Sequence, residues 1–311
     1  MAAESAASIL VIKLGALGDM VLALGPFAAI RRHHPDARIT LLTTQPYEEF
    51  LRASPYFDDI WIDRRPSLLR MDQWLALRSR LRGGRFDRVY DLQTSDRSGW
   101  YFRLMGPGPR PQWSGIAPGC SHPHANPGRD FMHSIERQNE QLKMAGIDDV
   151  PDADLSWVAG DISRFVLAEP YALMVPGGAP HRPAKRWPES CYGDLAGKLA
   201  TDGIQSVILG TKGESGLAHE IGAACKDALD LTGHTDLGQI AALARRATIA
   251  IGNDTGPMHL IAAAACPSVV LFSADSDYTL PAPRGPAVTV LQRNSLAELP
   301  VDEVAAALRL R

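Results

Sequence analysis

An alternation of short apolar, β-rich runs with helical segments constrains this chain most, because it is played out twice with one interruption. Ser8-Ile9-Leu10-Val11-Ile12-Lys13 is apolar almost throughout, as a strand buried on both faces of a parallel sheet must be. A glycine-bearing turn, Leu14-Gly15-Ala16-Leu17-Gly18, follows it and leads into an apolar helix over about Asp19 to Arg32. Arg38–Thr43, Ile60–Ile62 and Arg88–Leu92 read as further strands, with a helical pattern over 67–82 between the last two. Residues 106–130 are crowded with Pro, Gly and His and read as a long loop or lid. A helix around Asn139–Ala145 closes this half. Gly146–Glu169, with several acids and Pro151, then reads as a connection.

The pattern restarts at Tyr171-Ala172-Leu173-Met174-Val175, which ends in Pro176-Gly177-Gly178. Helix 189–201, strand Gln205–Leu209, helix Glu214–Cys225, helix 236–246, strand Thr248–Ile251, helix Pro257–Ala265, strand Ser268–Phe272 and a last helix near Val301–Leu308 complete it. Strands alternating with helices imply parallel sheets. The 311 residues suffice for two cores. The expected fold is therefore α/β, two doubly wound, Rossmann-like domains facing a central cleft, residues 1–160 and 161–311. Ligands of such sheets sit beyond the carboxyl ends of the strands, where Gly15, Gly177 and Gly252 fall.

Several function classes drop out. With 32 basic and 35 acidic residues, and a net charge of −3, the chain makes no electrostatic case for binding nucleic acid. Cys120, Cys191, Cys225 and Cys266 lie far apart, with no close pair for a zinc site or a disulfide framework, and suit a reducing compartment. Lys13 and Asp19 interrupt the apolar N-terminal stretch and no basic region precedes it, so neither a signal peptide nor a membrane span is expected. The expectation is a cytoplasmic protein.

Three segments carry chemistry. In Ile251-Gly252-Asn253-Asp254-Thr255-Gly256-Pro257-Met258-His259 a strand runs almost directly into a helix. Asp254 or Thr255 can serve as N-cap, and Pro257 suits the first turn. Unpaired amides and the positive end of the helix dipole there favour phosphate oxygens, with His259 in reach; ordinary capping over a core histidine explains the same spacing. His181-Arg182-Pro183-Ala184-Lys185-Arg186-Trp187-Pro188 sets cationic side chains in a proline-stiffened loop, fit to stabilise a departing diphosphate or to be a solvated basic loop. Lys13-Leu14-Gly15-Ala16-Leu17-Gly18-Asp19 is half a dinucleotide fingerprint, but the second strand ends in Thr43 and Thr44 rather than the acid that holds ribose hydroxyls. What it offers is one carboxylate, Asp19, at a helix N-terminus, suited to a base or to a first-turn acid.

KLGALGDMVLALGPFAAIRR, FDRVYDLQ, PGGAPHRPAKRWPES and GNDTGPMHLIAAAACPSVVLF, in that order, resemble the motifs of glycosyltransferase family 9, the ADP-heptose:lipopolysaccharide heptosyltransferases, over essentially the whole chain. The resemblance implies a GT-B fold with an N-terminal acceptor-binding and a C-terminal nucleotide-sugar-binding domain. It also implies inverting transfer of a heptose, with no metal and no cofactor. By it, Asp19 matches the general base and Lys185 the lysine on the donor phosphates. Asp254, Thr255, Gly256 and His259 match the donor-binding turn, and Glu214 an acid for ribose hydroxyls. Gly18, Asp91 and Gln93 fall at the acceptor end. The implied partners are ADP-heptose and a lipid-linked oligosaccharide at the cytoplasmic face of the inner membrane, met by a monomer. Basic residues at Arg31–His34, Arg64-Arg65 and Arg78–Arg82 could face anionic sugar phosphates, lipid head groups or simply water.

Two departures stand out. Members commonly have a Gly-Pro-Thr-type turn after the last core strand, where this chain reads Phe272-Ser273-Ala274-Asp275-Ser276-Asp277, so a GT-B transferase with another nucleotide sugar stays open. The loop 106–130 has no counterpart, and its His122-Pro123-His124 lacks the further ligands that a metal needs. The incomplete glycine fingerprint counts against a nicotinamide-dependent dehydrogenase. The joint presence of Asp19 and Lys185 counts against a non-catalytic binding protein.

Overall fold

A computed structural model describes residues 7–67, 69–178 and 182–311 and divides between Trp157 and Val158 into two α/β units. His181 of the basic loop lies outside the described residues. The first unit carries strands β1 (Ser8–Ile12), β2 (Arg38–Thr43), β3 (Asp59–Ile62), β4 (Arg88–Asp91), β5 (Gln112–Gly115) and β6 (His122–Pro123) in one sheet of order β3-β2-β1-β4-β5-β6. Every pairing is parallel, for example Val11 opposite Leu41 on one side and Tyr90 on the other. Helices α1 (Leu17–Leu22), α2 (Leu24–His33), α3 (Glu48–Arg52), α4 (Met71–Gly83), α5 (Asp96–Leu104) and α6 (Ser134–Met144) accompany it. Leu10, Ile12, Leu42 and Val89 pack with Tyr101, Phe102 and Trp113 in its core.

The second unit repeats the plan with β7 (Tyr171–Val175), β8 (Gln205–Ile208), β9 (Leu229–Asp230), β10 (Ile249–Asn253), β11 (Ser268–Ser273) and β12 (Val288–Arg293), ordered β12-β11-β10-β7-β8-β9 and again wholly parallel. Its helices are α7 (Glu189–Thr201), α8 (Ser215–Ala224), α9 (Leu237–Arg246), α10 (Gly256–Ala263) and α11 (Val301–Ala307). Met174, Ile208, Ile251 and Leu271 pack with Tyr192, Leu195 and Leu199. Counted within each unit, both sheets have the order 3-2-1-4-5-6, the doubly wound arrangement in which the chain reverses its direction of travel beside the first strand.

The structure departs from the sequence reading in places. The apolar stretch expected as one helix over 19–32 is two, α1 and α2, parted at Ala23. Pro26 has no N–H to offer the Leu22 carbonyl. The turn tightens instead, with Ala23 N donating to Met20 O at 3.1 Å, before Phe27 N resumes the ladder on Ala23 O at 2.9 Å. The segment 106–130 is not loop throughout, because β5 and β6 within it extend the sheet by two short strands.

Candidate active site

In a doubly wound sheet the crevice for a ligand opens beyond the carboxyl ends of the two strands that flank the reversal. Those are β1 and β4 in the first unit and β7 and β10 in the second. Almost all the residues singled out in the sequence fall on the loops leaving these four strands.

In the first unit, β1 passes into a turn that only glycine satisfies at Gly15, which has φ +116° and whose Cβ would lie 2.7 Å from the Tyr47 ring. The turn delivers Gly18 and Asp19 to the first turn of α1. The Asp19 carboxylate accepts from the Ala16 amide at 3.1 Å through Oδ2, while its Oδ1 stands 3.9 Å from Lys13 Nζ. Its side chain stays 41% exposed against 5% for Lys13, so the carboxylate can meet a ligand and the ammonium cannot. Lys13 donates to Leu92 O at 3.1 Å. Burial pushes the Lys13 ammonium below its ordinary value; Asp19 and Asp91 counter the shift and Arg137 adds to it.

The loop after β4 braces this turn. Gln93 Oε1 accepts from Leu14 N at 2.8 Å, and Asp91 Oδ1 accepts from the amides of Gln93 and Thr94 at 3.2 and 3.0 Å. Asp91 is fully buried, its Oδ2 without a hydrogen-bond partner among the described residues, and burial raises its carboxyl to about 6. Asp91 thus sits beneath the turn and Gln93 beside it. Around Asp19 the structure adds arginines: Arg65 donates to Leu14 O at 2.9 Å, Arg129 donates to Thr94 Oγ1 at 3.1 Å, and Arg137 feels the Asp19 charge.

In the second unit three loops converge. Asn253, fully buried at the end of β10, ties them: its Nδ2 donates to Pro176 O at 2.7 Å and Gly177 O at 3.2 Å, and its Oδ1 accepts from Trp187 N at 3.0 Å and Tyr192 OH at 3.2 Å. The basic loop is thereby pinned, with Trp187 buried and its Nε1 donating to Leu299 O at 2.9 Å. Lys185 Nζ donates to Asp254 Oδ2 at 2.9 Å, the side chains only 14% and 11% exposed. Ser276 Oγ donates to the same oxygen at 2.8 Å, which joins the unusual Ser273–Asp277 turn to the strand–helix junction. Arg186 donates to Gly178 O at 2.7 Å.

Thr255 is the N-cap of α10, yet its hydroxyl does not cap the helix. Among the described residues Thr255 Oγ1 and Arg186 Nε are buried without a hydrogen-bond partner, and a buried polar atom left in that state is costly. Both lie against the loop after β7, because a Cβ on Gly178 would come within 3.6 Å of Arg186 Nε and 3.7 Å of the Thr255 methyl. Gly256 opens α10 and His259, buried, lies in its first turn. Glu214 links two strand ends: Oε1 accepts from Gly178 N at 2.9 Å, and Oε2 from Thr211 N and Oγ1 at 2.7 and 2.8 Å.

The structure thus gathers Lys185, Asp254, Thr255, Gly256, His259 and Glu214 at one sheet edge, and Gly18, Asp19, Asp91 and Gln93 at the other. Sequence reasoning did not place Arg129, Arg137 or Asn253 at these edges, whereas Arg65 stood in a basic cluster open to anionic groups and Ser276 in the turn set near the donor sugar. Asn253 sat inside the strand–helix motif and was the most accessible of them to pattern reading. His122 Nδ1 lies 2.9 Å from Ser121 Oγ, and His124 Nε2 lies 2.8 Å from Glu140. Among the described residues no group of three or more His, Cys, Asp or Glu is placed to hold a metal, and none of the described helices is long and apolar enough to cross a membrane.

Known proteins share this frame. The chain is 28% identical over 297 residues to lipopolysaccharide heptosyltransferase 2 of Escherichia coli K12, covering 88% of this chain and 85% of that one. Its fold matches a family 9 glycosyltransferase of Veillonella parvula with a TM-score of 0.84 at 20% identity, over 97% of this chain and 95% of that one. It matches the E. coli heptosyltransferase WaaC, solved with ADP-2-deoxy-2-fluoro heptose, with a TM-score of 0.77 at 20% identity, over 96% and 98% of the two chains. The sequence profile of glycosyltransferase family 9 (heptosyltransferase) covers residues 74–303. The chain belongs to that family.

Proposed function

We propose that this chain transfers a heptose, with inversion, from ADP-heptose to a lipopolysaccharide core acceptor. Residues 1–160 receive the acceptor and residues 161–311 the donor. The similarity to the E. coli lipopolysaccharide heptosyltransferase and the likeness to WaaC with its ADP-sugar analogue support this reading. The observation that carries it is the buried, unpartnered Thr255 hydroxyl beside Arg186 Nε at the start of α10, with Lys185 and Asp254 adjoining. A diphosphate supplies the oxygens that both donors lack, and the helix N-terminus favours its charge.

In the proposed reaction Asp19 takes the proton of an acceptor hydroxyl as that oxygen attacks the anomeric carbon. The bond from that carbon to the diphosphate breaks, and ADP departs with the electron pair. Lys185 and the amides at Thr255 and Gly256 stabilise the growing negative charge, so the step needs no divalent cation. Glu214 holds the ribose hydroxyls, while Asp254 orients Lys185 and His259 faces the donor. Gly18 and Gln93 shape the acceptor end, with Asp91 supporting them from beneath. The lipid-linked acceptor brings the protein to the periphery of the inner membrane on its cytoplasmic face.

Calorimetric titration with ADP, GDP, UDP and NAD in the presence of EDTA tests the reading, together with turnover of Asp19→Asn. Selective ADP binding is expected, with turnover of the variant falling ~10²–10⁴-fold while ADP affinity is kept. The Ser276–Asp254 hydrogen bond couples the atypical turn to the donor loop and favours one second reading, a different nucleotide sugar. Preference for UDP or GDP would establish it and overturn the heptose donor. An Asp19→Asn enzyme with wild-type turnover would remove Asp19 from the chemistry.

A further inference from the structure

We propose that Ser276, in the turn that departs from the family pattern, is a positioning residue for the diphosphate: through Asp254 it sets where Lys185 presents its charge. This rests on the transferase reading above. The backbone at Lys185 is fixed, since Lys185 N donates to Arg182 O at 3.2 Å, Arg186 N to Pro183 O at 3.0 Å, and Trp187 N to Asn253 Oδ1. Its side chain, by contrast, is a flexible four-carbon stem that ends in three donors. One of them goes to Asp254 Oδ2 at 2.9 Å. Among the described residues that is the one acceptor it has, so two donors remain for a ligand. Asp254 therefore aims the ammonium, and the aim depends on how the carboxylate is itself held.

Ser276 holds it from a neighbouring strand. Asn253 lies opposite Leu271 across β10 and β11, which brings Asp254 beside the end of β11. Beyond β11 the chain closes on itself, with Ser276 N donating to Ser273 O at 3.2 Å and Asp275 N to Ser273 Oγ at 3.4 Å. The turn so formed brings Ser276 Oγ to Asp254 Oδ2 at 2.8 Å, the same oxygen that takes Lys185. Among the described residues nothing else donates to that carboxylate's side chain. Ser276 is only 8% exposed, so water is a poor substitute for its hydroxyl. Without the hydroxyl the carboxylate is freer to turn about its Cβ–Cγ bond, a broad torsion, and the ammonium turns with it. A cation aimed in advance loses less freedom when the anion arrives.

The test is a double-mutant cycle of Ser276→Ala and Lys185→Ala, read as nucleotide affinity by calorimetric titration. The ligand is whichever of ADP, UDP and GDP the wild type binds most tightly. The matching nucleoside, followed by saturation-transfer NMR, is the control that lacks phosphate. Expected in Ser276→Ala is a diphosphate affinity about three- to tenfold weaker, with nucleoside affinity within about twofold of wild type. On the Lys185→Ala background the effect of Ser276→Ala should shrink to under about twofold, because the hydroxyl acts through the lysine. Unchanged diphosphate affinity in Ser276→Ala overturns the proposal. So does a nucleoside affinity that falls in step, the mark of a merely structural loss, or an effect that persists undiminished without Lys185. A preference for UDP or GDP sinks the heptose donor alone, since the cycle then runs on that diphosphate. A wild type that binds no nucleoside diphosphate overturns the transferase reading and the proposal together.

Discussion

Replacing Asp91 by asparagine should change how the stability of the first unit depends on pH. Burial raises this carboxyl to about 6 in the fold, whereas in the unfolded chain it titrates near ~3.9. A raised folded value means that the native state holds the proton more tightly. The stabilising contribution is therefore fully present below the unfolded value and is lost as pH rises through about 6. A shift of roughly 2 units corresponds to about 3 kcal/mol, of which about 2 kcal/mol falls between pH 4 and pH 7. Asparagine keeps an acceptor for the Gln93 and Thr94 amides and carries no charge at either pH.

His34 works in the opposite sense, since burial and the neighbouring His33 and Arg88 push it down to about 4. Its contribution is lost as pH falls, so the raw profile of the wild type mixes the two groups. Subtracting the wild-type profile from that of Asp91→Asn removes His34. Urea unfolding followed by tryptophan fluorescence suits the purpose, because Trp61, Trp74, Trp100, Trp113 and Trp157 lie in the first unit and Trp187 alone in the second. The variant should gain about 2 kcal/mol on the wild type between pH 4 and pH 7. A difference that stays flat across that range refutes the account of Asp91 as a carboxyl whose burial outweighs the hydrogen bonds it accepts.

Lys185→Ala should weaken ADP binding by at least about tenfold in a calorimetric titration, the loss of one charge-assisted hydrogen bond. It should also lower the melting temperature, because Asp254 is left in a site only 11% exposed with its cation gone; unchanged ADP affinity would end the phosphate role. Gly177→Ala would place its Cβ on the Glu214 carboxylate, which holds the Gly178 and Thr211 amides. ADP affinity should collapse while the fold loses about 1–3 kcal/mol, and a variant that still binds ADP as wild type does would show that Glu214 need not stay in place.

What the sequence made legible follows from how many residues each element has to declare itself. β1 and β7 read clearly because four and five consecutive positions, respectively, are buried and each run stops at a glycine turn. β5 and β6 did not, since four and two residues set among prolines, glycines and histidines show no period. The break at Ala23 was foreshadowed by Gly25-Pro26 but masked by the apolar stripe that runs through both helices. At the site, glycines and caps mark where the backbone turns, so Asp19 and the Asp254–His259 segment could be found along the chain. Lys185 and Asp254, 69 residues apart, meet only through the parallel pairing of β7 with β10. Ser276 joins them through the turn after β11, and no local pattern announces that.

The two sheets have one strand order, and each has its own core and its own reversal point. On the assignment proposed above, the nucleotide side and the acceptor side can therefore change independently. Substitutions in the loops after β4 and β5 leave untouched the hydrogen bonds by which Asn253 ties the second unit's loops to Pro176, Gly177, Trp187 and Tyr192. A chain so divided can alter one half of what it recognises while the other half keeps its geometry.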